Sequence, residues 1–183
     1  QKIECRGNST PWIRLPIPPA YDPAWRFPAS QRSPDEWVAL SEGIHTVGHA
    51  DGSFHFDNEK PAHRALVGPV RLARNLVTNA EWLAFMKDGG YGTATLWLMD
   101  GFATATAEGW QAPGHWRQVN GEWRIMTLGG LQPIDPSAPV SHVSYYEADA
   151  FARWAGYRLP SEFEWEMAAG GLPVKGRTLG ASH

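Results

Sequence analysis

Apolar residues recur at spacings of three and four in three stretches of this sequence, each with its own start and stop signals. Thr78 with Glu81 three residues later reads as a capping box. Trp82, Phe85 and Met86 then share one helical face, and Gly89-Gly90 ends the run. Ser144 with Glu147 repeats the box ahead of a helix to about Ala155, stopped by Gly156. Its expected apolar face is Tyr145, Ala148, Phe151, Ala152 and Ala155. Ser161 with Glu164 opens a third helix, carrying Phe163, Trp165, Met167 and Ala168 and stopped by Gly170-Gly171. A weaker pattern of Leu96, Met99 and Ala103 favours a short helix over 94–108, although Gly101 counts against it.

Elsewhere the pattern alternates. Residues 38–57 predict a first hairpin around Ile44 and Val47, with Asp51-Gly52 as its turn. Residues 63–77 predict one or two further strands. The clearest hairpin is 115–127, with Asn120-Gly121 as the favoured two-residue turn. Residues 128–139 read as loop, and Pro139–Val143 as a short strand. In residues 1–37, Pro11, Pro16, Pro18, Pro19, Pro23 and Pro28 forbid a regular helix. That stretch reads as a Pro/Trp-rich linker or arm laid over the domain formed by 38–183, with Trp12, Ile13, Leu15, Ile17, Trp25 and Phe27 needing a surface to cover.

Composition sharpens this picture. With 19 glycines, 15 prolines and only 19% charged residues, the chain suits turns, short strands and ordered loops rather than a helical bundle. Ten tryptophans predict an aromatic-rich core steadying irregular backbone, or aromatic walls around a ligand. A net charge of -3 gives no reason to expect nucleic acid or an anionic membrane surface as a partner. Cys5 is the one cysteine, so no disulfide can form within the chain, and a reducing, cytoplasmic setting fits. The sequence shows neither an apolar run long enough to span a bilayer nor the apolar core of a signal peptide.

Candidate chemistry is sparse. Glu147 and Glu164 have capping roles, and Glu162 sits in a first helical turn where the dipole favours negative charge. His45 and His49 lie four apart, with His55 and His63 following. On a strand, that spacing separates two side chains by about 13 Å, too far for one metal without a sharp bend. No metal ligand, cofactor-binding residue or catalytic residue is therefore assigned. His142 is expected to bond its neighbours. The Gly pairs lack the strand–loop–helix context of a phosphate cradle, and no Gly-x-Ser-x-Gly elbow occurs.

"PVSHVSYYEADAFARWAGYRLPSEFEWEMAAGG", residues 139–171, resembles the signature of the formylglycine-generating enzyme and sulfatase-modifying-factor superfamily. There a Pro-Val-x-x-Val-Ser-aromatic segment leads through an Ala-rich helix, Trp, Gly and Arg-Leu-Pro to Glu-x-Glu-Trp-Glu. Upstream, "GIHTVGHADGSFHFDNEKPAHRALVGPVRLARNLVTNAEWLAFMKDGGY" and "LWLMDGFATATAEGWQAPGHW" resemble the carboxy-terminal domain of ergothioneine-biosynthesis sulfoxide synthases. The resemblance covers roughly residues 38–171. It implies an α+β, C-type-lectin-like fold with short strands, few helices and much irregular structure.

The resemblance also implies chemistry for a parent enzyme. Such synthases use Fe(II) and O2 to join the sulfur of γ-glutamylcysteine or cysteine to hercynine as a sulfoxide. Their iron sits on three histidines in an amino-terminal helical bundle, built around a His-x-x-x-His-x-Glu motif. Three imidazoles leave open positions on iron for thiolate and O2. That motif is absent here, as are the later Asn-Trp-Asp run and the segment of the catalytic tyrosine, so neither Tyr145 nor Tyr146 inherits that role. The expectation is a fragment holding the first part of the domain and serving as substrate-pocket scaffold, with the helical bundle and a carboxy-terminal segment as partners. The alternatives are a formylglycine-generating-type oxidase, whose reactive cysteine pair Cys5 alone cannot supply, and a non-catalytic lectin-like binding module.

Overall fold

The computed structural model describes residues 19–26, 36–52 and 54–170. Backbone contacts divide it into two units, residues 75–159 with 19–26, and residues 36–74 with 160–170. Among the described residues, seven short strands, all paired antiparallel, and four α-helices are linked by much irregular chain. This is the α+β class expected.

In the smaller unit, β1 (Trp37–Leu40) pairs with β4 (Val70–Ala73), and β2 (Gly43–Val47) pairs with β3 (His63–Val67). The register runs on from Leu40↔Val70 to Gly43↔Val67, so the four strands form one long ribbon with a short gap. Pro69 falls in that gap and has no N–H to give the ladder. The hairpin expected over 38–57 is therefore not formed. Asp51-Gly52 lies in the excursion between β2 and β3 rather than at a tight turn. Val47 and Val67 are buried on one ribbon face. Helix α4 (Glu162–Ala169) packs there, with Phe163 edge-on to His63 at 5.6 Å. Glu166 Oε1 accepts the Gly48 N–H at 2.6 Å, just where Gly48 turns the strand end with a φ of 87°.

The larger unit has an aromatic centre. Helix α1 (Asn79–Lys87) and helix α3 (Tyr145–Trp154) bring Trp82 and Phe151 into a parallel stack at 5.0 Å, and Phe85 meets both edge-on. Trp97 and Ala105 complete the buried cluster with Ala150. The ten tryptophans thus serve packing at Trp82 and Trp97 at least, and Trp97 Nε1 donates to the Gly90 carbonyl at 2.8 Å. Helix α2 starts later than expected, at Met99, and ends at Glu108; residues 94–96 form a separate 3-10 turn. Met99 is 83% exposed, so it is not a core position. Gly101 faces the core instead, because a Cβ there would lie 2.5 Å from Tyr146. The buried face of α3 is also rotated from the expected one. Glu147, Ala150, Phe151 and Ala152 are inside, whereas Tyr145 is 45% exposed.

Strands β5 (Trp116–Val119), β6 (Glu122–Thr127) and β7 (Gly130–Pro133) form a meander. Asn120 and Gly121, both at positive φ, make the expected turn between β5 and β6. Strand β7 falls in the stretch expected to be loop, because Gly130 and Pro133 mask its pattern. Residues 19–26 lie against its turn: Asp22 N–H donates to the Leu128 carbonyl at 3.0 Å and Gln132 Nε2 to that of Trp25 at 2.8 Å. The strand expected at 139–143 is only a single bridge, Thr78↔Pro139. The rest of the expected arm, Cys5 included, and the expected stop at Gly171 lie outside the described residues.

Candidate functional site

The capping acids of the signature stretch are taken up by structure. Glu147 is fully buried, and its Oε2 accepts the Ser144 N–H at 2.7 Å while Oε1 accepts the Tyr91 hydroxyl at 2.7 Å. Ser144 Oγ in return accepts the Glu147 N–H at 3.2 Å, closing the box. Glu164 caps α4 in the same way through the Ser161 N–H at 2.7 Å, and Glu81 caps α1 through Thr78. Glu162 is exposed in the first turn of α4. Tyr146 packs against Gly101 and edge-on to Tyr145 at 5.8 Å. Glu81, Glu147 and Glu164 thus have capping roles, as the capping signals imply, and Tyr146 a packing one, while Glu162 stays exposed.

Histidines are brought together in ways their spacing does not announce. His49 lies past the end of β2, where the bend at Gly48 sets its ring parallel to His55 at 4.9 Å. Its Nε2 meets Asp51 Oδ1 at 2.7 Å. His45 stays on the strand, with Nε2 buried and unbonded. His63 Nδ1 lies 3.1 Å from the Pro61 carbonyl. In the other unit His142 packs edge-on to His115 at 4.5 Å. His115 drew no attention in the sequence, because nothing in its neighbourhood resembles a ligand spacing. Among the described residues no group of three His, Cys, Asp or Glu side chains converges as a metal site.

The larger unit also holds a cleft of about 610 Å³. It is lined by Leu83, Met86 and Lys87 of α1, by Tyr91 and Gln111, and by Gln118 and Trp123 of the meander. Gly89 turns the chain out of α1 with a φ of 78°, and Tyr91, two residues on, lines the cleft and donates its hydroxyl to Glu147. The described lining offers an ammonium, amides and an indole, but no carboxylate, imidazole or thiol. Such a surface can hold a ligand through the Lys87 ammonium and the Gln111 and Gln118 amides.

Known proteins share this chain's sequence over most of its length. A hercynine oxygenase of Mycolicibacterium thermoresistibile is 44% identical over 131 residues, which is 72% of this chain and 29% of the relative. One from Mycobacterium tuberculosis is 43% identical over 130 residues, 71% of this chain and 30% of the relative. A formylglycine-generating enzyme of Thermomonospora curvata is 35% identical over 177 residues, 82% of this chain and 55% of the relative. The chain therefore spans less than a third of the length of those hercynine oxygenases. Residues 24–178 match the sulfatase-modifying factor enzyme 1-like domain, and with short antiparallel strands and irregular links around an aromatic centre, the chain belongs to that family.

Proposed function

We propose that this chain is the substrate-framing part of a sulfoxide synthase that joins the sulfur of γ-glutamylcysteine or cysteine to hercynine with O2, in ergothioneine biosynthesis. The observation that carries the reading is the 44% identity to a hercynine oxygenase over 131 residues, against 35% for a formylglycine-generating enzyme.

Fe(II) on three histidines does not fit the described residues. The run His45-x-x-x-His49-x-Asp51 comes within one methylene of the iron motif, yet it lies on a strand and a bend, not on a helix. His49 there turns to Asp51 and His55. In this reading the iron and its ligands belong to a helical-bundle domain of the parent protein, which also has a further carboxy-terminal segment and works in the cytoplasm. This chain contributes rigid walls. Capping carboxylates close the first turns of α1 and α3, and the cleft beside Tyr91 offers Lys87 to a substrate carboxylate and Gln111 and Gln118 to its polar groups.

The test uses the full-length parent with Fe(II), O2, hercynine and either thiol, and mass spectrometry of the product. A sulfoxide is expected from the parent and none from the 183-residue chain alone. Turnover by the chain alone would displace the framing role. No sulfoxide from the parent with either donor would remove the synthase reading, and conversion of a sulfatase cysteine peptide to formylglycine would put the oxidase in its place.

A further inference from the structure

Gly129 and Gly130 join β6 to β7, and the backbone needs only one of them to be glycine. Gly130 has a φ of 83°, whereas the φ of Gly129 lies outside the left-handed region, where any residue is at ease. What position 129 lacks is room. A Cβ there would lie 2.3 Å from the Trp25 carbonyl oxygen and 2.3 Å from Gln132 Nε2. A Cβ on Gly130 would also come within 3.2 Å of Ala20. The segment 19–26 thus approaches this turn more closely than a side chain at 129 would permit. Its main chain makes the bonds: Asp22 N–H donates to the Leu128 carbonyl at 3.0 Å, and Gln132 Nε2 donates to the Trp25 carbonyl at 2.8 Å. Tyr21 meanwhile is 88% exposed. Both sides are shaped by their own residues. Thr127 Oγ1 accepts the Gly129 N–H at 3.0 Å and donates to the Gly130 carbonyl at 2.8 Å, which closes the turn. In the segment, Asp22 Oδ1 accepts the Ala24 N–H and the Asp22 carbonyl accepts the Trp25 N–H, each at 3.0 Å.

We propose that the β6–β7 turn is a socket for the main chain of residues 20–25, and that it works as a releasable clasp on the chain arriving from the parent protein's preceding domain. The part about the preceding domain rests on the synthase reading; the clasp itself does not. Because the socket bonds a backbone N–H and a backbone carbonyl, it reads the path of the segment rather than its side chains. Neither the turn nor the segment belongs to the buried aromatic cluster, so the contact can open while that core stays closed. With the clasp shut, the incoming chain leaves this domain from a fixed point, where Ala20 meets Gly130. With it open, the free linker lengthens, and the preceding domain is held near this one at a lower effective concentration. An arm resting loosely on the surface would need no missing side chain beneath it. A glycine whose backbone does not require one, set under a carbonyl from more than a hundred positions away, is what a built socket needs.

The experiment is amide hydrogen exchange of the full 183-residue chain, read by NMR at Asp22, whose acceptor belongs to the socket. Gly129→Ala is expected to speed exchange at Asp22 by about tenfold or more, and Gln132→Ala by a smaller factor, while Phe85 in α1 and Phe151 in α3 keep their rates. Tyr21→Ser should change none of them. In the parent protein, Gly129→Ala should enlarge the maximum dimension seen by small-angle X-ray scattering. Unchanged exchange at Asp22 in Gly129→Ala would overturn the socket. So would equal acceleration at Asp22 and Phe85, since the turn would then be part of the global fold, or release of the segment by Tyr21→Ser. A parent of unchanged dimensions would overturn the fastening of the preceding domain. Exchange is read without any sulfoxide assay, so a failure of the synthase reading and a failure of the socket are told apart.

Discussion

Glu147 shows how much one side chain can hold. It caps α3 in the sequence sense, and it also anchors the Tyr91 hydroxyl from a different part of the chain. Ser144→Ala removes one N-cap acceptor and should cost about 1 kcal/mol. Glu147→Ala leaves a buried backbone N–H and a phenol hydroxyl without their acceptor, which should cost roughly 3 kcal/mol. Urea midpoints of the two variants measure the difference. If Glu147→Ala unfolds no earlier than Ser144→Ala, the buried carboxylate does not join α3 to Tyr91 energetically. The cap was legible in the sequence because its parts lie three residues apart. The Tyr91 bond was not, since nothing local to either residue encodes it.

At the level of elements, α2 sits against α3 because position 101 has no side chain. Gly101→Ala should push the helices apart and cost about 1–3 kcal/mol, the usual range for overpacking. Gly92→Ala is the contrast: its added methyl meets nothing within 4 Å, so its effect should stay within about 0.5 kcal/mol. Thermal unfolding of both variants checks the pair, and equal midpoints would place the α2–α3 contact elsewhere. In the sequence, Gly101 weakened the helix expectation. In the fold it is the point of closest approach, and the helix starts at Met99 because residues 94–96 take a 3-10 turn that lets Trp97 reach the core. Strand β7 is hidden in the sequence for a related reason, as Gly130 and Pro133 supply no alternating pattern although β6 pairs with both.

For the whole molecule, the open face of the ribbon carries the consequence. Ile44 and Leu66 are cross-strand neighbours, 60% and 70% exposed, and Val38 continues their side at 42%. An apolar strip of this kind draws chains together. The isolated chain is expected to associate as its concentration rises, and Ile44→Lys with Leu66→Glu should return it toward monomer. Sedimentation velocity reads the outcome, and a monomer at every concentration would show that the strip drives no contact. The same scale holds the substrate test of the cleft. In the parent enzyme Lys87→Ala should raise KM several-fold with kcat nearly kept, because the ammonium holds substrate in ground and transition state alike. A fall in kcat with KM unchanged would contradict a binding role for Lys87.

What the sequence determined by itself was short in range. Three capping boxes, the Asn120-Gly121 turn and the glycine stops each rest on residues within four positions of one another, so local backbone chemistry is enough to place them. The signature of residues 139–171 pointed to the family for a similar reason, since its motifs are contiguous. What only the tertiary structure decided depends on where the chain returns to itself. β1 pairs with β4 rather than β2, Tyr91 reaches Glu147, and His115 meets His142. Such pairs close long loops, and burial and backbone hydrogen bonding across the whole fold select them, so no spacing along the chain records them.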